Sequence, residues 1–408
     1  MENIVYIEWE NLLYWGLNMS NIVKYKMKLE VLTPLHIGGA DYKSKLDKKE
    51  YVFDKDKGTL ALIDTEKFVG FLVKKNLFDK YISYIENSVN AKVMIQNRNI
   101  NLLNFLKANN IDKDIKEYRK KAPIKVDMNI ENMNDIKLML RNIEGKPYIP
   151  GTSIKGALVS FLLVNYIINH RDEFSKAKRE ILSECKKAND DRSIKNLKNK
   201  IREIVNEIEK SIIYDNNKEL EKSKRFGISI SDSYNYYDTR TNFYQDIDEK
   251  RNTKTENEKS KPMPVVREYI MSTSKFDFDI TLDIDLLEKS KLEIKNIDDL
   301  IEALENATTY LINNVLEDKN SSQTENLILG ANTGFLQKTI VYALFEDKKE
   351  RLEVIKKLLH KGSKNAIGNH LNDKFSPRIL NRIKINGNNK LAGLVKIEKV
   401  DEKNVGTN

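Results

Sequence analysis

A chain of 408 residues that is 40% apolar, with only 7 Pro and 16 Gly, can hold two domains or one large domain with insertions, and is neither disordered nor fibrous. Its 70 Lys and Arg against 61 Asp and Glu give a net charge of +9, an excess that suits one nucleic-acid-binding face as well as a plain solvated surface. The single cysteine, Cys185, excludes an internal disulfide and a cysteine zinc site, and four scattered histidines (His36, His170, His360, His370) do not replace one.

Residues 1–23 read as an N-terminal extension, with Met19 as an alternative start. They carry Glu2, Glu8 and Glu10 where a secretory signal would place positive charge and then a clean apolar core. No uninterrupted apolar run approaches the roughly 18 residues of a membrane span, so the expectation is a cytoplasmic protein that engages no membrane. From Lys24 the pattern becomes regular. Tyr25, Met27, Leu29 and Val31 alternate with charged residues, which predicts a half-buried strand ending at Thr33-Pro34 and a His-Ile-Gly-Gly turn. A strand pair follows at 51–53 and 60–63 around the turn 54–58, then a helix capped by Asp64 or Thr65 with Phe68, Phe71 and Leu72 on one face.

Residues 86–147 show only short apolar clusters. Pro147-Tyr148-Ile149-Pro150 leads into a helix packed by Leu158, Phe161, Leu162 and Ile168. Within 171–224, Leu197, Ile201, Ile204, Ile208 and Ile212 predict a long amphipathic helix in an inserted helical hairpin. Residues 226–233 alternate as a strand, 239–263 are polar enough to predict a mobile loop, and 265–285 alternate as a hairpin. The region 287–408 reads as mainly helical, with apolar stripes over 297–315, 335–345 and 352–359, and closes on a strand over 391–400. The whole is an α+β pattern.

Three glycine-bearing segments stand out: TPLHIGG at 33–39, IPGTSIKGAL at 149–158 and LGANTGFLQKT at 329–339. In the second, Gly151 permits close backbone approach, Thr152 and Ser153 can cap or bind phosphate, and Lys155 adds charge in the first turn of a helix, whose free amides favour an anion. Tight turns and helix caps account for any one such segment; three in one basic chain point further. None is a nucleotide-binding P-loop, because Lys155 precedes Gly156 and no hydroxyl follows it, while Lys338-Thr339 stands too far from its glycine. Gly38-Gly39-Ala40-Asp41 offers one carboxylate where a two-metal nucleotide-cyclising site needs two. His36 invites a general-base reading, although no acid–base partner is visible nearby. Basic clusters at 119–121 and 222–225 fit phosphate contacts or a solvated face equally well.

The order of these segments, together with Asp232-Ser233 and VVREYIMSTSKFDFDI, resembles the RAMP superfamily of CRISPR proteins, and within it the fifth subunit of the type III-A Csm effector complex. The resemblance covers residues 24 to about 345 and the terminal strand. It implies a ferredoxin-like (RRM-like) RAMP core over 24–286, with the helical insertion at 171–224 and the loop at 239–263, followed by the mainly helical 287–408. It implies a guide-RNA (crRNA) binding subunit that caps the 3′ side of the guide and takes part in its maturation and in antiviral defence. It implies no cofactor and no nuclease centre of its own. The partners it implies are crRNA, other Csm subunits, especially the repeated RAMP backbone subunit, and host nucleases. Carried over by motif, the RNA-binding positions are His36, Gly38 and Gly39, then Gly151, Ser153 and Lys155, then Asn332, Gly334 and Lys338. Asn332 departs from the glycine-rich, more aromatic pattern expected there. Asp41 and Asp47 lie in a loop comparable to the one that carries a related subunit's cutting aspartate, but no motif matches. Two other readings stay open from the residues: a metal-independent endoribonuclease using His36, and a pure protein scaffold.

Overall fold

A computed structural model describes residues 21–39, 44–89, 102–126, 135–224, 226–237, 239–251, 260–318, 321, 324–331, 340–362 and 369–400. Strand β1 (Ile22–Val31) buries Met27, Leu29 and Val31 and turns Lys24 and Lys26 to solvent, as its alternation predicts. The two-residue β2 (Lys45–Leu46) follows, then the hairpin β3 (Tyr51–Asp54) and β4 (Thr59–Leu62), whose turn ends on Gly58 at φ +58°. Asp64 caps α1 (Thr65–Lys74) by accepting from the amide of Lys67. With α2 (Phe78–Val89), α3 (Leu102–Ala108) and β5 (Ile124–Lys125), the β3–β4 hairpin and α1 form a lobe with its own core of Phe68, Phe71, Tyr81, Phe105 and Tyr118. Part of this lobe comes from the stretch in which no periodicity was legible.

After β6 (Ile136–Lys137) comes α4 (Gly151–Asn169), which buries Ile154, Leu158, Phe161, Leu162 and Ile167. By length and composition α4 could cross a membrane, but those side chains lie in the main core of this fold. Helices α5 (Ser175–Lys187), α6 (Asp191–Tyr214) and α7 (Lys218–Ser223) then occupy the expected insertion. Helix α6 opens on a capping box between Asp190 and Ser193 and buries the five residues whose spacing predicts it.

The remaining strands are β7 (Ile228–Ile230), β8 (Tyr234–Tyr237), β9 (Thr241–Lys250), β10 (Ser260–Ile270), β11 (Lys275–Asp283), β12 (Leu327–Ile328), β13 (Ile379–Ile385), β14 (Asn388–Leu391) and β15 (Leu394–Lys399). Between them lie α8 (Ile297–Leu311) and α9 (Lys348–Leu359). One antiparallel sheet runs β12-β15-β1-β11-β7, with β8 also on β11. Its inner residues Met27, Leu29, Phe276, Phe278, Ile280, Val395 and Ile397 share the main core with α4 and α8. A second sheet runs β14-β13-β9-β10-β6-β2, antiparallel throughout except for a parallel contact between β10 and β6. A third, β3-β4-β5, belongs to the small lobe. The chain is thus a mixed α/β structure of antiparallel sheets.

Three expectations change. Residues 241–250 are a strand, not a loop: β9 lies between β10 and β13, where its charged Asp246 and Glu249 pair with Arg267 and Arg382. Ion pairs satisfy its buried charges while Phe243 and Ile247 are buried beside them; residues 252–259 of the same expected loop lie outside the described residues. Residues 265–285 do not fold as a hairpin, because β10 joins the second sheet and β11 the first. The C-terminal segment carries β13 and β14 before its final strand, and that strand, β15, inserts between β1 and β12.

Candidate functional site

The first glycine segment leaves β1 at Thr33-Pro34, where Leu35 exchanges backbone hydrogen bonds with Ile270. This carries His36 into the interior, where only 3% of it is exposed. Its Nδ1 lies 2.7 Å from the carbonyl oxygen of Glu268, and its ring packs 5.6 Å from that of Tyr269. Burial, with Arg267 and Lys137 nearby, lowers the imidazole pKa to about 4. The ring is therefore neutral near pH 7. Gly38 bridges to Met139, and the Glu268 carboxylate accepts from the Met139 amide, from Thr241 and from Arg141, so one buried acid organises the turn.

The second segment does not present an empty helix N-terminus. The Gly151 amide donates to Oδ1 of Asp232 at 2.8 Å, and the Ser153 and Ile154 amides bond back to the Pro150 carbonyl. Ile149 and Ser233 are tied in both directions, at 2.9 and 3.0 Å. A Cβ on Gly151 would stand 2.4 Å from the Ile230 carbonyl oxygen, so the backbone that Gly151 admits is the protein's own. Lys155 holds its Nζ 5.9 Å from the centre of the Phe226 ring.

The start of the third segment lies against the first. The Ala331 amide donates to the His36 carbonyl at 2.9 Å, and Gly330, at φ +93°, would place a Cβ 2.5 Å from that same oxygen. Asn332, Gly334 and Lys338 lie outside the described residues. The three segments thereby surround one cleft of about 700 Å³, lined by His36–Gly39, by Thr152, Ser153, Gly156 and Ala157 of α4, and by Leu329–Ala331.

The fourth wall of this cleft is cationic. Lys45 on β2 pairs in register with Lys137 on β6, and Lys137 with Arg267 on β10, so three cations stand side by side across three strands. Like charges directly opposed on a sheet are destabilising. Arg267 is balanced by Asp246, while Lys45 and Lys137 form no ion pair among the described residues. Partial burial, then Arg267 and Lys45, hold the Lys137 ammonium below the usual lysine range. An anion laid along this ladder relieves that repulsion. Among the described residues, no three His, Cys, Asp or Glu side chains gather into a metal-ligand set.

The model of the RAMP superfamily matches residues 28–394. The chain belongs to the RAMP superfamily. It is 31% identical over 158 residues to the CRISPR system Cms protein Csm5 of Enterococcus italicus, covering 34% of this chain and 42% of that one. The protein of the same name from Streptococcus thermophilus is 26% identical over 268 residues, 64% of each chain. The matches thus span less than two thirds of either relative. Among solved structures, a chain of the cryo-EM structure of a Csm-crRNA-target RNA ternary complex of a type III-A CRISPR-Cas system aligns at TM-score 0.56 and 17% identity, over 92% of this chain and 100% of that one. The crystal structure of T. onnurineus Csm5 aligns at TM-score 0.51 and 18% identity, over 78% and 93%. Both likenesses are of fold.

In this RAMP chain the glycine segments were legible as motifs, but Lys45, Lys137 and Arg267 were not. The only trace is a basic residue inside short alternating runs, K-S-K-L, D-I-K-L and V-V-R-E-Y. Alternation says that such residues share a face of their own strand; which strands stand side by side is a matter of register.

Proposed function

We propose that this RAMP protein is the guide-RNA-binding fifth subunit of a type III-A Csm complex, and that the cleft holds a stretch of guide-RNA backbone. The observation that carries this reading is the convergence of all three glycine segments on one cleft walled by Lys45, Lys137 and Arg267. Small residues let a sugar-phosphate chain approach, the cations take its phosphates, and the hydroxyls of Ser44, Thr152 and Ser153 add neutral contacts. The RNA-binding roles expected of Asn332, Gly334 and Lys338 fall outside the described residues, and Lys155 follows Ser153 on the same helix without lining the cleft.

The order β1–α4–β7–β11–α8–β15 with strands arranged β15-β1-β11-β7 supports a ferredoxin-like core. On this reading 24–286 carries β1, α4, β7 and β11 of that core with its 171–224 insertion, and 287–408 completes it with the helix α8 and the strand β15. The reading includes a place at the 3′ side of the guide, a part in guide maturation without a nuclease centre, and a cytoplasmic location. The partners it implies are the repeated backbone subunit and host nucleases. A buried neutral histidine with a pKa near 4 is a weak base, which favours holding RNA over cutting it.

The test is fluorescence anisotropy of a labelled guide-RNA fragment over a salt series, with Lys45→Ala and Lys137→Ala. Each substitution should weaken binding and lower the slope of log K against log salt by about 0.7. Unchanged affinity and slope in both variants would overturn the reading.

A further inference from the structure

Phosphate contacts leave one group in the cleft unexplained. A carbonyl only accepts, so the 2.7 Å contact of His36 Nδ1 with the Glu268 oxygen places the ring's proton on Nδ1. In the neutral ring Nε2 is then a bare acceptor. It lies beside Gly38, where a Cβ would stand 3.1 Å from it, and the glycine leaves that ring edge uncovered toward the cleft. No hydrogen-bond partner occupies Nε2 among the described residues. The low pKa produced by burial keeps it an acceptor at neutral pH.

An acceptor of this kind repels phosphate oxygens and calls for a donor next to them. Along a nucleic-acid backbone, the donor that recurs between phosphates is the ribose 2′-hydroxyl, and DNA lacks it. We infer that Nε2 of His36 accepts a hydrogen bond from one ribose 2′-hydroxyl of the strand held by Lys45, Lys137 and Arg267, so that this cleft selects RNA over DNA. The inference rests on the proposal that the cleft binds RNA. Without a donor, a buried acceptor stays unpaired, a loss of about tenfold or more in affinity.

The experiment uses the full-length chain and a guide-RNA fragment in which each ribose in turn carries a 2′-fluorine, which keeps the RNA sugar pucker but cannot donate. One position should lose about tenfold in affinity with the native protein. With His36→Phe that position should bind equally well with hydroxyl or fluorine, whereas His36→Gln, which retains an acceptor, should recover part of the discrimination. The inference is overturned if no position is sensitive with the native protein, an outcome that needs no variant to fold. It is also overturned if the sensitive position stays sensitive in His36→Phe. In either case, a Lys137→Ala variant that still weakens binding leaves the RNA reading standing. If Lys45→Ala and Lys137→Ala change neither affinity nor salt slope, the RNA reading itself has failed.

Discussion

The carboxylate of Asp232 accepts from the amide of Gly151 at 2.8 Å, across 81 residues of sequence. Pro150, the N-cap of α4, has no side chain that can cap, so the helix takes its cap from the loop between β7 and β8. The positive end of α4 therefore receives one of the protein's own anions first. A ligand phosphate is left to the Lys45–Lys137–Arg267 wall and to the Thr152 and Ser153 hydroxyls.

Removing this cap should cost stability rather than chemistry. Asp232→Ala should destabilise the chain by about 1 kcal/mol, while Asp232→Asn, which keeps an acceptor, should cost only a few tenths. Ser233→Ala strips the buried Ile149 amide of its partner and should cost about 1–3 kcal/mol. Urea unfolding midpoints at constant m-value check all three.

Gly151 and Gly156 lie five residues apart on α4, on different sides of the helix, and should answer in opposite senses. Gly151→Ala drives a Cβ into the Ile230 and Ser231 carbonyls and should destabilise by about 1–3 kcal/mol. At Gly156 a Cβ meets nothing within 4 Å and faces the cleft. Gly156→Ala should leave the fold as stable or up to about 1 kcal/mol more so, and Gly156→Glu should keep the fold while lowering RNA affinity by at least about tenfold through bulk and like charge. Parallel thermal melts and RNA titrations separate the two effects.

Loss of Lys137 should remove a contact to RNA and a repulsion within the apoprotein together. Lys137→Ala is expected to bind RNA more weakly yet melt no lower than the native chain, since the ladder then opposes fewer like charges. The same salt series applied to Lys155→Ala assigns the lysine of α4. A lowered slope puts Lys155 on a phosphate, and an unchanged slope leaves it on Phe226.

The buried His36 predicts how stability depends on pH. Its native pKa of about 4 lies below the ordinary 6.5, so between those values the unfolded chain binds the extra proton. Stability from this group is complete above about pH 6.5 and declines as pH falls toward 4, by at most about 1.4 kcal/mol per pH unit. Subtracting the pH profile of His36→Phe from that of the native protein should leave this slope. A flat difference over pH 4–6.5 would show that the ring takes up no extra proton on unfolding.

Much of this was legible in local pattern. The alternation of Met27, Leu29 and Val31, the i, i+3 and i+4 spacing of Leu197 through Ile212 and the Asp64 cap all act within one element, and each appears where the residues place it. The strand β9 was not legible, because Asp246 and Glu249 are satisfied by Arg267 and Arg382 on neighbouring strands, and a single segment cannot display its partners.

The sequence by itself determined the glycine segments, the family they belong to and the helices and strands that carry them, because backbone freedom and apolar periodicity are local properties. Only the tertiary structure decided that Gly151 makes room for the protein's own β7 backbone, that Asp232 answers the helix dipole, and that Lys45, Lys137 and Arg267 form one wall. Those relations depend on strand register and on which loops meet, and both are set by burying one shared core.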